Sequence, residues 1–298
     1  MPPTFPDRTD PDGLTFRPLS SVADFDACIE IQRQTWGRDF SDVVPLSILK
    51  IAQKTGGIAA GAFTVDGRML GYVFGLTGLR DGRAFHWSHM LAVTPAGRDL
   101  GLGTRLKLYQ RECLLPLGIE EVQWTYDPLE SRNAHLNFNH LGVGVAEYVE
   151  DMYEGEMGSE LAQGIGSDRF IVSWRIASER VARALRDKRA GSDEPFREAP
   201  VVNSEGVLGD LPAASRVRVE IPENIQAVKA ERPEAAVAWR ESTRASFETY
   251  LARGHRVEAF YRDRAAGRCY YGLEPRNGDP ETPCCASKPS PCARSLSL

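Results

Sequence analysis

The segment from residue 98 to residue 104 could bind a diphosphate through its main chain. It lies between a predicted strand and a predicted helix and consists of Arg98, Asp99, Leu100, Gly101, Leu102, Gly103 and Thr104. Backbone N–H groups at a helix N-terminus form an anion-binding nest, and glycines leave such a nest uncovered. Arg98 could add a charge-assisted contact. Because Gly-x-Gly also marks ordinary tight turns, the surrounding elements decide its meaning.

Two other phosphate-binding motifs can be compared with this segment. The Walker pattern is excluded, because no Gly-Lys-Ser or Gly-Lys-Thr ends the turn. A dinucleotide fingerprint would need a third glycine where Leu106 stands, and it would normally begin the fold. Asp127 could serve as the acidic ribose ligand of that fingerprint. Dinucleotide binding therefore remains an alternative.

Histidines of the preceding predicted strand are candidates for a general base. The strand contains His86 and His89, and His has the unperturbed pKa nearest physiological pH. His89 shares the parity of Leu91 and Val93, so we expect it on the same face of the sheet. We take His89 as the candidate base, while a structural role for a strand histidine stays open.

Two arginines could bind the carboxylate of a substrate. Arg169 begins an apolar strand run, where a guanidinium needs an acidic partner, and its neighbour Asp168 is the simplest one. The alternative is that Arg169 and Arg132 bind a substrate carboxylate, with Asp168 in the same pocket. Asp168 and Glu130 are also weaker candidates for the base.

The predicted elements follow a mixed α/β order around a central sheet. Ser21 with Asp24 three residues later is typical of a helix start, and Asp66-Gly67 is typical of a hairpin turn. The periodicity predicts helices from residue 21 and at 45–53, 102–113 and 131–141, and strands at 14–19, 58–65, 69–76, 85–93, 122–125, 145–148 and 170–174.

This order, with Arg98-x-x-Gly101-x-Gly103 between a strand and a helix, resembles the GNAT superfamily of N-acyltransferases over about residues 14–175. The resemblance implies a GNAT-like fold and acyl-CoA as co-substrate, with no metal. It further implies direct acyl transfer to an amine. In this reading the main chain at Leu91, Ala92 and Val93 pairs with the pantetheine and polarises the thioester carbonyl.

A second block, residues 131–143, resembles a later motif of the same superfamily. Ala134, Leu141 and Gly142 match, and Phe138 stands where many members have a Tyr that protonates the departing thiolate. Phe138 would line the coenzyme site without supplying a proton. Asn133 and Asn137 lie one helical turn apart and could hydrogen-bond the pantetheine, with Asn137 as a polar helper in catalysis, or they could face solvent.

The sequence around these motifs also resembles an uncharacterised bacterial GNAT branch, some members of which are associated with N-succinylation of amino acids. This resemblance implies acetyl-CoA or succinyl-CoA as donor and an amino acid or its derivative as the small-molecule amine. A second function of a different class is a non-catalytic acyl-CoA sensor, which the missing phenol at Phe138 favours.

Composition excludes several other classes of protein. The chain has 298 residues and a net charge of −5 with interspersed signs, so we expect no nucleic-acid partner. No stretch approaches the roughly 20 apolar residues of a membrane span, and residues 1–13 lack the apolar run of a signal peptide. We expect a cytoplasmic protein without membrane contact. The six cysteines have neither metal-ligand nor disulfide spacing.

The chain divides into five predicted segments. Residues 1–13 are expected to be disordered, 14–177 to form the GNAT-like domain, 178–215 a helix and linker, 216–273 a strand, helix and hairpin, and 274–298 a disordered tail. The extension at 216–273 is too small to be stable alone, so we expect it to pack on the first domain or on a second subunit of a homodimer.

Overall fold

The computed structural model describes residues 5–153, 164–187, 194–263 and 267–276. The disorder predicted for most of the tail concerns residues 277–298, outside this range. The helices are α1 (Val22–Trp36), α2 (Leu46–Lys54), α3 (Leu102–Leu114), α4 (Ser131–His135), α5 (Glu179–Asp187), α6 (Ile225–Glu231) and α7 (Pro233–Ala252). The strands are β1 (Arg8–Thr9), β2 (Thr15–Pro18), β3 (Ile58–Phe63), β4 (Met69–Arg80), β5 (Arg83–Val93), β6 (Glu121–Tyr126), β7 (Gly144–Val149), β8 (Arg169–Arg175), β9 (Asn203–Ser204), β10 (Val207–Leu208), β11 (Val217–Ile221), β12 (His255–Asp263) and β13 (Arg268–Pro275).

The first eight strands form one sheet in the order β1-β2-β3-β4-β5-β6-β8-β7. Neighbouring strands are antiparallel except β5 and β6, which are parallel. The predicted mixed α/β class is confirmed. A dinucleotide-binding domain would instead be built on a mostly parallel sheet.

Helices cover the two faces of this sheet and create two apolar clusters. On the α1–α2 face, residues such as Phe25 and Leu49 pack with Tyr72 and Phe74 of β4. On the α3 face, Leu106 and other α3 residues pack with inward side chains of β2, β3, β4 and β6. The predicted start of α1 is confirmed, since Ser21 and Asp24 form a reciprocal capping box.

The N-terminal segment differs from its prediction. Residues 5–13 were expected to be disordered, but Arg8–Thr9 pairs with β2 and the Tyr109 hydroxyl donates to the Pro6 carbonyl at 2.9 Å. The Arg8 guanidinium lies 4.5 Å from the Phe16 ring centroid and donates to Glu112 on α3 at 2.9 Å. Contacts with distant residues therefore order a segment whose own composition is polar.

The region predicted as one helix at 131–141 changes its hydrogen-bonding pattern halfway. α4 passes directly into a π-helix at Leu136–Leu141, which ends at Gly142 with a φ of +70°. The Trp174 indole donates to the Leu141 carbonyl at 2.8 Å, and an added Cβ at Gly142 would lie 2.8 Å from the Ala184 side chain. Close packing by β8 and α5 therefore requires glycine at this turn.

The C-terminal extension forms a second sheet, in the order β11-β13-β12, with α7 packed against it. Its buried residues belong to the same apolar cluster as α3 and β6. The Tyr271 ring packs edge-on against Phe138 at 5.8 Å and against Phe170 at 5.7 Å. The extension thus packs on the first domain of its own chain. None of the helices in the described ranges is long and apolar enough to cross a bilayer.

Candidate active site

A cleft opens where the two parallel strands of the sheet separate. β5 and β6 pair at His86 with Val122 and at Trp87 with Gln123, and no pair is formed beyond these two. From Ser88 and Trp124 onward the facing edges are free to bind an extended ligand. We call the point of separation, at Ser88 and Trp124, the vertex of the cleft.

The cleft belongs to a cavity of about 630 Å³. Seven of the residues that we predicted for the site line it directly, together with the candidate base His89: these are Leu91, Arg98, Glu130, Arg132, Asn133, Asn137 and Arg169. A volume of this size is ordinary for a cofactor or substrate site. The structure thus brings Arg98, the candidate base and both predicted arginines to one cavity, whereas Ala92, Val93 and the rest of the diphosphate segment, residues 99–104, do not line it.

The predicted diphosphate segment lies at the start of α3, with a turn geometry that depends on glycine. Gly101 caps the helix with a φ of +64°, and an added Cβ there would meet nothing within 4 Å. The first bond of the helix runs from the Arg105 N–H to the Gly101 carbonyl. The N–H groups of Leu102, Gly103 and Thr104 therefore have no acceptor within the helix and are available to an anion.

The side chains of this segment have different surroundings. Arg98, Asp99 and Leu100 are exposed, and Asp99 has a positive φ of +67°. Leu102 is buried in the α3-face cluster, so only its main chain can serve a ligand. Ala92 on β5 is likewise buried, in the α1–α2-face cluster, and its main chain is the part that can pair with a ligand.

A β-bulge in β5 changes the direction of the candidate base. Phe74 pairs with Met90 and Leu76 with Trp87, so one residue of β4 faces two of β5, Ser88 and His89. The alternation of side chains shifts there. The His89 ring contacts the Phe74 ring at 6.0 Å on the α1–α2 face, while Leu91 packs on the α3 face. Our expectation that His89 shares a face with Leu91 is wrong.

His89 has the electrostatic properties of a base, whereas His86 does not. Desolvation lowers the pKa of His89 below its ordinary value of 6.5, and Asp42 opposes the shift. The ring is accessible from the cavity. His86 is fully buried, where desolvation lowers its pKa to about 3. Its nitrogens are bound by Thr77 at 3.1 Å and Gln110 at 3.0 Å, so His86 is structural.

The helix that follows β6 presents two asparagines to the cavity and turns Phe138 away from it. Asn133 is exposed. Only 3% of the surface of Asn137 is exposed, but this residue also lines the cavity. No side-chain hydrogen bond joins the Asn137 amide to any described residue. Phe138 is 1% exposed and packs against Tyr271. The prediction of a coenzyme contact for Phe138 is wrong, because its ring fills the core.

Charged groups of three elements converge at the end of the cavity near β6 and β8. Asp127 accepts a hydrogen bond from Arg240 of α7 at 2.5 Å and lies 3.7 Å from the Arg169 guanidinium. The guanidinium also lies 5.3 Å from the ring centroid of Tyr153, whose hydroxyl is 3.1 Å from Thr125. Arg169 therefore has Asp127, rather than the side chain of its neighbour, as its acidic partner.

Asp168 is placed in a structural network instead. It is fully buried and does not line the cavity. Arg244 of α7 donates to its carboxylate at 2.6 and 2.9 Å, and the Tyr148 hydroxyl donates to it as well. Burial alone would raise the pKa of Asp168, but these bonds outweigh burial and lower it. The structure therefore corrects the prediction that Asp168 contacts substrate or acts as a base.

The C-terminal extension completes the same end of the cavity. Glu223, Asn224 and Gln226 line it, and the Gln226 amide donates to Glu130 at 2.7 Å. Burial raises the pKa of Glu130, and the bond from Gln226 opposes that shift. The Ser131 hydroxyl donates to the Glu223 carbonyl at 2.5 Å, which fixes the extension to the start of α4.

Sequence reasoning missed Lys107, which lines the cavity from α3. It is 3% exposed, and burial lowers its pKa well below 10.5. The signal was its place on the helix, since Lys107 and Gln110 stand beside Leu106 on the apolar stripe that faces the sheet. A polar residue on such a stripe is buried against the sheet. A lysine is rarely buried without a partner, so its position on the stripe indicates a specific role.

Comparison with known proteins gives likenesses of structure only. No protein-family model and no curated protein sequence matches the chain. Among solved structures, the GNAT-family acetyltransferase from Streptococcus pneumoniae is 17% identical, with 54% of this chain and 98% of that one covered and a TM-score of 0.43. A putative acetyltransferase from Salmonella typhimurium, solved with its cofactor acetyl-CoA, is 18% identical, with 56% of this chain and 95% of that one covered and a TM-score of 0.43. A putative GNAT-family acetyltransferase from Desulfovibrio desulfuricans is 16% identical, with 55% of this chain and 99% of that one covered and a TM-score of 0.40.

Proposed function

We propose that this chain is an acyl-CoA-dependent N-acyltransferase. It moves an acetyl or succinyl group directly from coenzyme A to the amine of a small molecule, an amino acid or a derivative. One observation carries the proposal: the parallel strands β5 and β6 separate after two pairs, and the cavity between them reaches Arg98, three residues before Gly101 at the N-terminus of α3. A diphosphate, an extended arm and a thioester can be accommodated in that order.

The main chain supplies the donors for the coenzyme. The free N–H groups at Leu102, Gly103 and Thr104 bind the pyrophosphate, and Arg98 adds its charge. The free edge of β5 from Met90 to Val93 pairs with the pantetheine as an added strand would. The same N–H groups polarise the thioester carbonyl, whose charge grows as the amine attacks.

Proton transfer requires one base and little help for the leaving group. A neutral His89 accepts the proton of the attacking amine, since desolvation keeps its pKa below 6.5. The leaving thiol has an ordinary pKa near 8.5, so it departs as a thiolate at modest cost without a phenol. The buried position of Phe138 is therefore compatible with catalysis.

The acceptor is bound at the charged end of the cavity. Arg132 is exposed there and forms no ion pair with a described residue, so it is free to bind a carboxylate together with Arg169. Glu130 and Asp127 can interact with the ammonium of the same amino acid. The cytoplasmic location expected from the sequence suits such a reaction.

A thiol-release assay tests the function. The full-length protein is incubated with acetyl-CoA or succinyl-CoA and a panel of amino acids, and free thiol is followed together with acylated product. Amine-dependent thiol release supports the enzyme. Saturable acyl-CoA binding without release would overturn it in favour of a sensor, and binding of a nicotinamide cofactor alone would favour the dinucleotide reading.

A further inference from the structure

The ammonium of Lys107 lies at the vertex of the cleft. Its Nζ donates to the Ser88 hydroxyl at 2.7 Å and lies 3.6 Å from the ring centroid of Trp124. Ser88 and Trp124 directly follow Trp87 and Gln123, the last paired residues of β5 and β6. Lys107 therefore closes the inner end of the space between the two strands.

A chain of hydrogen bonds fixes Lys107 as a donor. Its Nζ donates to the Gln110 carbonyl oxygen at 3.4 Å, and the Gln110 amide lies 3.0 Å from Nε2 of His86. Because the amide nitrogen only donates, Nε2 accepts, and Nδ1 of the neutral His86 donates to Thr77. The Thr77 hydroxyl in turn donates to the Gly56 carbonyl at 2.7 Å.

Lys107 has no acidic partner in the described part of the chain. An ammonium has three donors, of which Ser88 takes one and Gln110 takes a second at long range. Beyond these two acceptors, the described residues offer the ammonium only the face of the Trp124 ring, at 3.6 Å, and no anionic group. Burial lowers the pKa of Lys107 and so disfavours its charged form, and an anionic group in the cavity beside Nζ would stabilise the ammonium. The position of Lys107 therefore suits a ligand with a negatively charged acceptor.

The acyl group of a bound donor would extend toward this ammonium. The pyrophosphate site is at the start of α3, beside the end of β5 at Val93. From Val93 back to Ser88 the strand covers roughly 17 Å, a path that an extended pantetheine arm can follow. With the thioester carbonyl on the main chain near Met90, the far end of a four-carbon acyl chain reaches Lys107 and Ser88 at the vertex.

We infer that Lys107 selects an acyl donor whose chain ends in a carboxylate, a monoacyl-CoA of a dicarboxylic acid. The inference rests on the acyltransferase function proposed above and names the donor class of that site. A terminal carboxylate would accept a hydrogen bond from the ammonium and neutralise it. An unbranched chain of the same length that ends in a methyl group would cover the cation without pairing it, which is unfavourable.

Donor selectivity of the full-length protein tests this inference. Initial rates of thiol release with one reactive amine are measured for succinyl-CoA and for butyryl-CoA, whose chains are similar in length. The wild-type kcat/KM should favour succinyl-CoA by at least about 10-fold, the effect of one hydrogen bond to a charged group. Equal values, or a preference for butyryl-CoA, would overturn the inference.

The variant Lys107→Met removes the charge and keeps the length of the side chain. We expect its kcat/KM with succinyl-CoA to fall by about 100-fold and that with butyryl-CoA to rise, while acetyl-CoA, too short to reach the ammonium, changes by less than about 3-fold. Lys50→Met replaces an exposed lysine of α2 and should change none of the three. A folded Lys107→Met variant that loses all three donors equally would contradict a role in selectivity.

A milder variant tests the same contact if Lys107→Met does not fold. Ser88→Ala removes the hydroxyl that holds Nζ, and the preference for succinyl-CoA over butyryl-CoA should fall by about 5-fold. An unchanged preference in Ser88→Ala would count against the inference. If the wild type released no thiol from any donor, the acyltransferase proposal itself would be wrong. Failure of the donor-selectivity inference can therefore be distinguished from failure of the proposed function.

Discussion

In the proposed function, the two ends of the cavity would recognise their ligands by different means. At the proposed coenzyme end, the main-chain N–H groups of Leu102, Gly103 and Thr104 have no acceptor within the helix, and the side chains of the preceding residues 98–100 are exposed. At the inner end the buried side chains of Ser88, Lys107 and Trp124 converge, and at the proposed acceptor end half-buried or exposed side chains of β8 and the C-terminal extension line the cavity. A continuous segment of backbone builds the first end, and tertiary contacts build the second.

This difference determines how each end responds to substitution. A backbone site is indifferent to most side chains and is lost only when bulk or charge enters the nest or the turn changes. A side-chain site depends on the identity of each group and on the partners that hold it. Substitutions at the coenzyme end should therefore affect donor binding alone, whereas those at the other end should separate binding from turnover.

The largest effect is expected from Gly101→Glu. The glutamate would place bulk and a negative charge where the pyrophosphate approaches, and like charges at close range cost several kcal/mol. Acyl-CoA affinity measured by calorimetry should fall by about 1,000-fold or more. The fold should be kept, with a modest fall in the melting temperature, since an added Cβ meets nothing within 4 Å but a glutamate at a φ of +64° is strained by about 1–2 kcal/mol.

Gly118→Glu is the matched control for this change. Gly118 has a φ of +71° and equally open surroundings, beyond the C-terminal end of α3. Both variants carry the same backbone strain of about 1–2 kcal/mol and the same added charge. Retained acyl-CoA binding in Gly101→Glu, or an equal loss in Gly118→Glu, would refute a diphosphate nest at Gly101.

The second largest effect is expected from His89→Gln. Loss of a general base should lower kcat by about 100-fold while acyl-CoA affinity stays constant. The base works when neutral, so activity falls as pH drops through its pKa. Because desolvation lowers that pKa, the acidic limb of the wild-type pH profile should lie below 6.5, and the variant should lose it.

Glu130→Gln separates the two possible bases near the cavity. Burial raises the pKa of Glu130 from its ordinary value of 4.5, so its titration would also produce an acidic limb, at a pH above 4.5. If the limb persists in His89→Gln and disappears in Glu130→Gln, then Glu130 is the base. An unchanged rate in His89→Gln would by itself remove the assignment of His89.

Local features of the site were predictable from the sequence, and the reason is their short range. The strand, turn and helix around Gly101 involve consecutive residues, so type and spacing suffice. The common face of Asn133 and Asn137 follows from helical periodicity. That periodicity does not decide the direction of Phe138, because consecutive residues such as Leu136 and Asn137 both line the cavity.

Other features depend on geometry or on distant residues. The direction of His89 reverses because a bulge inserts one residue opposite Gly75, and no pattern in β5 marks it. Arg244 binds Asp168 across 76 residues of sequence. A single sequence gives no means to pair such residues, so the structural role of Asp168 could not be foreseen.

Asn137→Leu should have an intermediate effect: it should weaken acyl-CoA binding without lowering the stability of the fold. No described residue forms a hydrogen bond with the Asn137 amide, although only 3% of the surface of Asn137 is exposed. Leucine should therefore leave the melting temperature unchanged or raised, because an unpaired polar group is removed. Acyl-CoA affinity should fall by about 10-fold, as the pantetheine loses a hydrogen-bond partner.

Asn139→Leu is the control on the same helical segment. The Asn139 amide contacts His135 at 2.7 Å and does not line the cavity. Its acyl-CoA affinity should equal that of the wild type. A loss of stability in Asn137→Leu with unchanged affinity would mean that the amide serves the fold rather than the coenzyme.

The smallest effect is expected from Gln226→Leu, which tests the part of the extension that reaches the acceptor end. The change removes the hydrogen bond to Glu130, and with it the interaction that opposes the raised pKa of that carboxyl. The KM for the amine should rise by about 5-fold while acyl-CoA affinity stays constant. Glu231→Gln, an exposed residue of the same helix α6, should alter neither value. If Gln226→Leu weakened donor and acceptor binding equally, the two ends of the cavity would not be separate recognition sites, because a side chain of the extension would then control both.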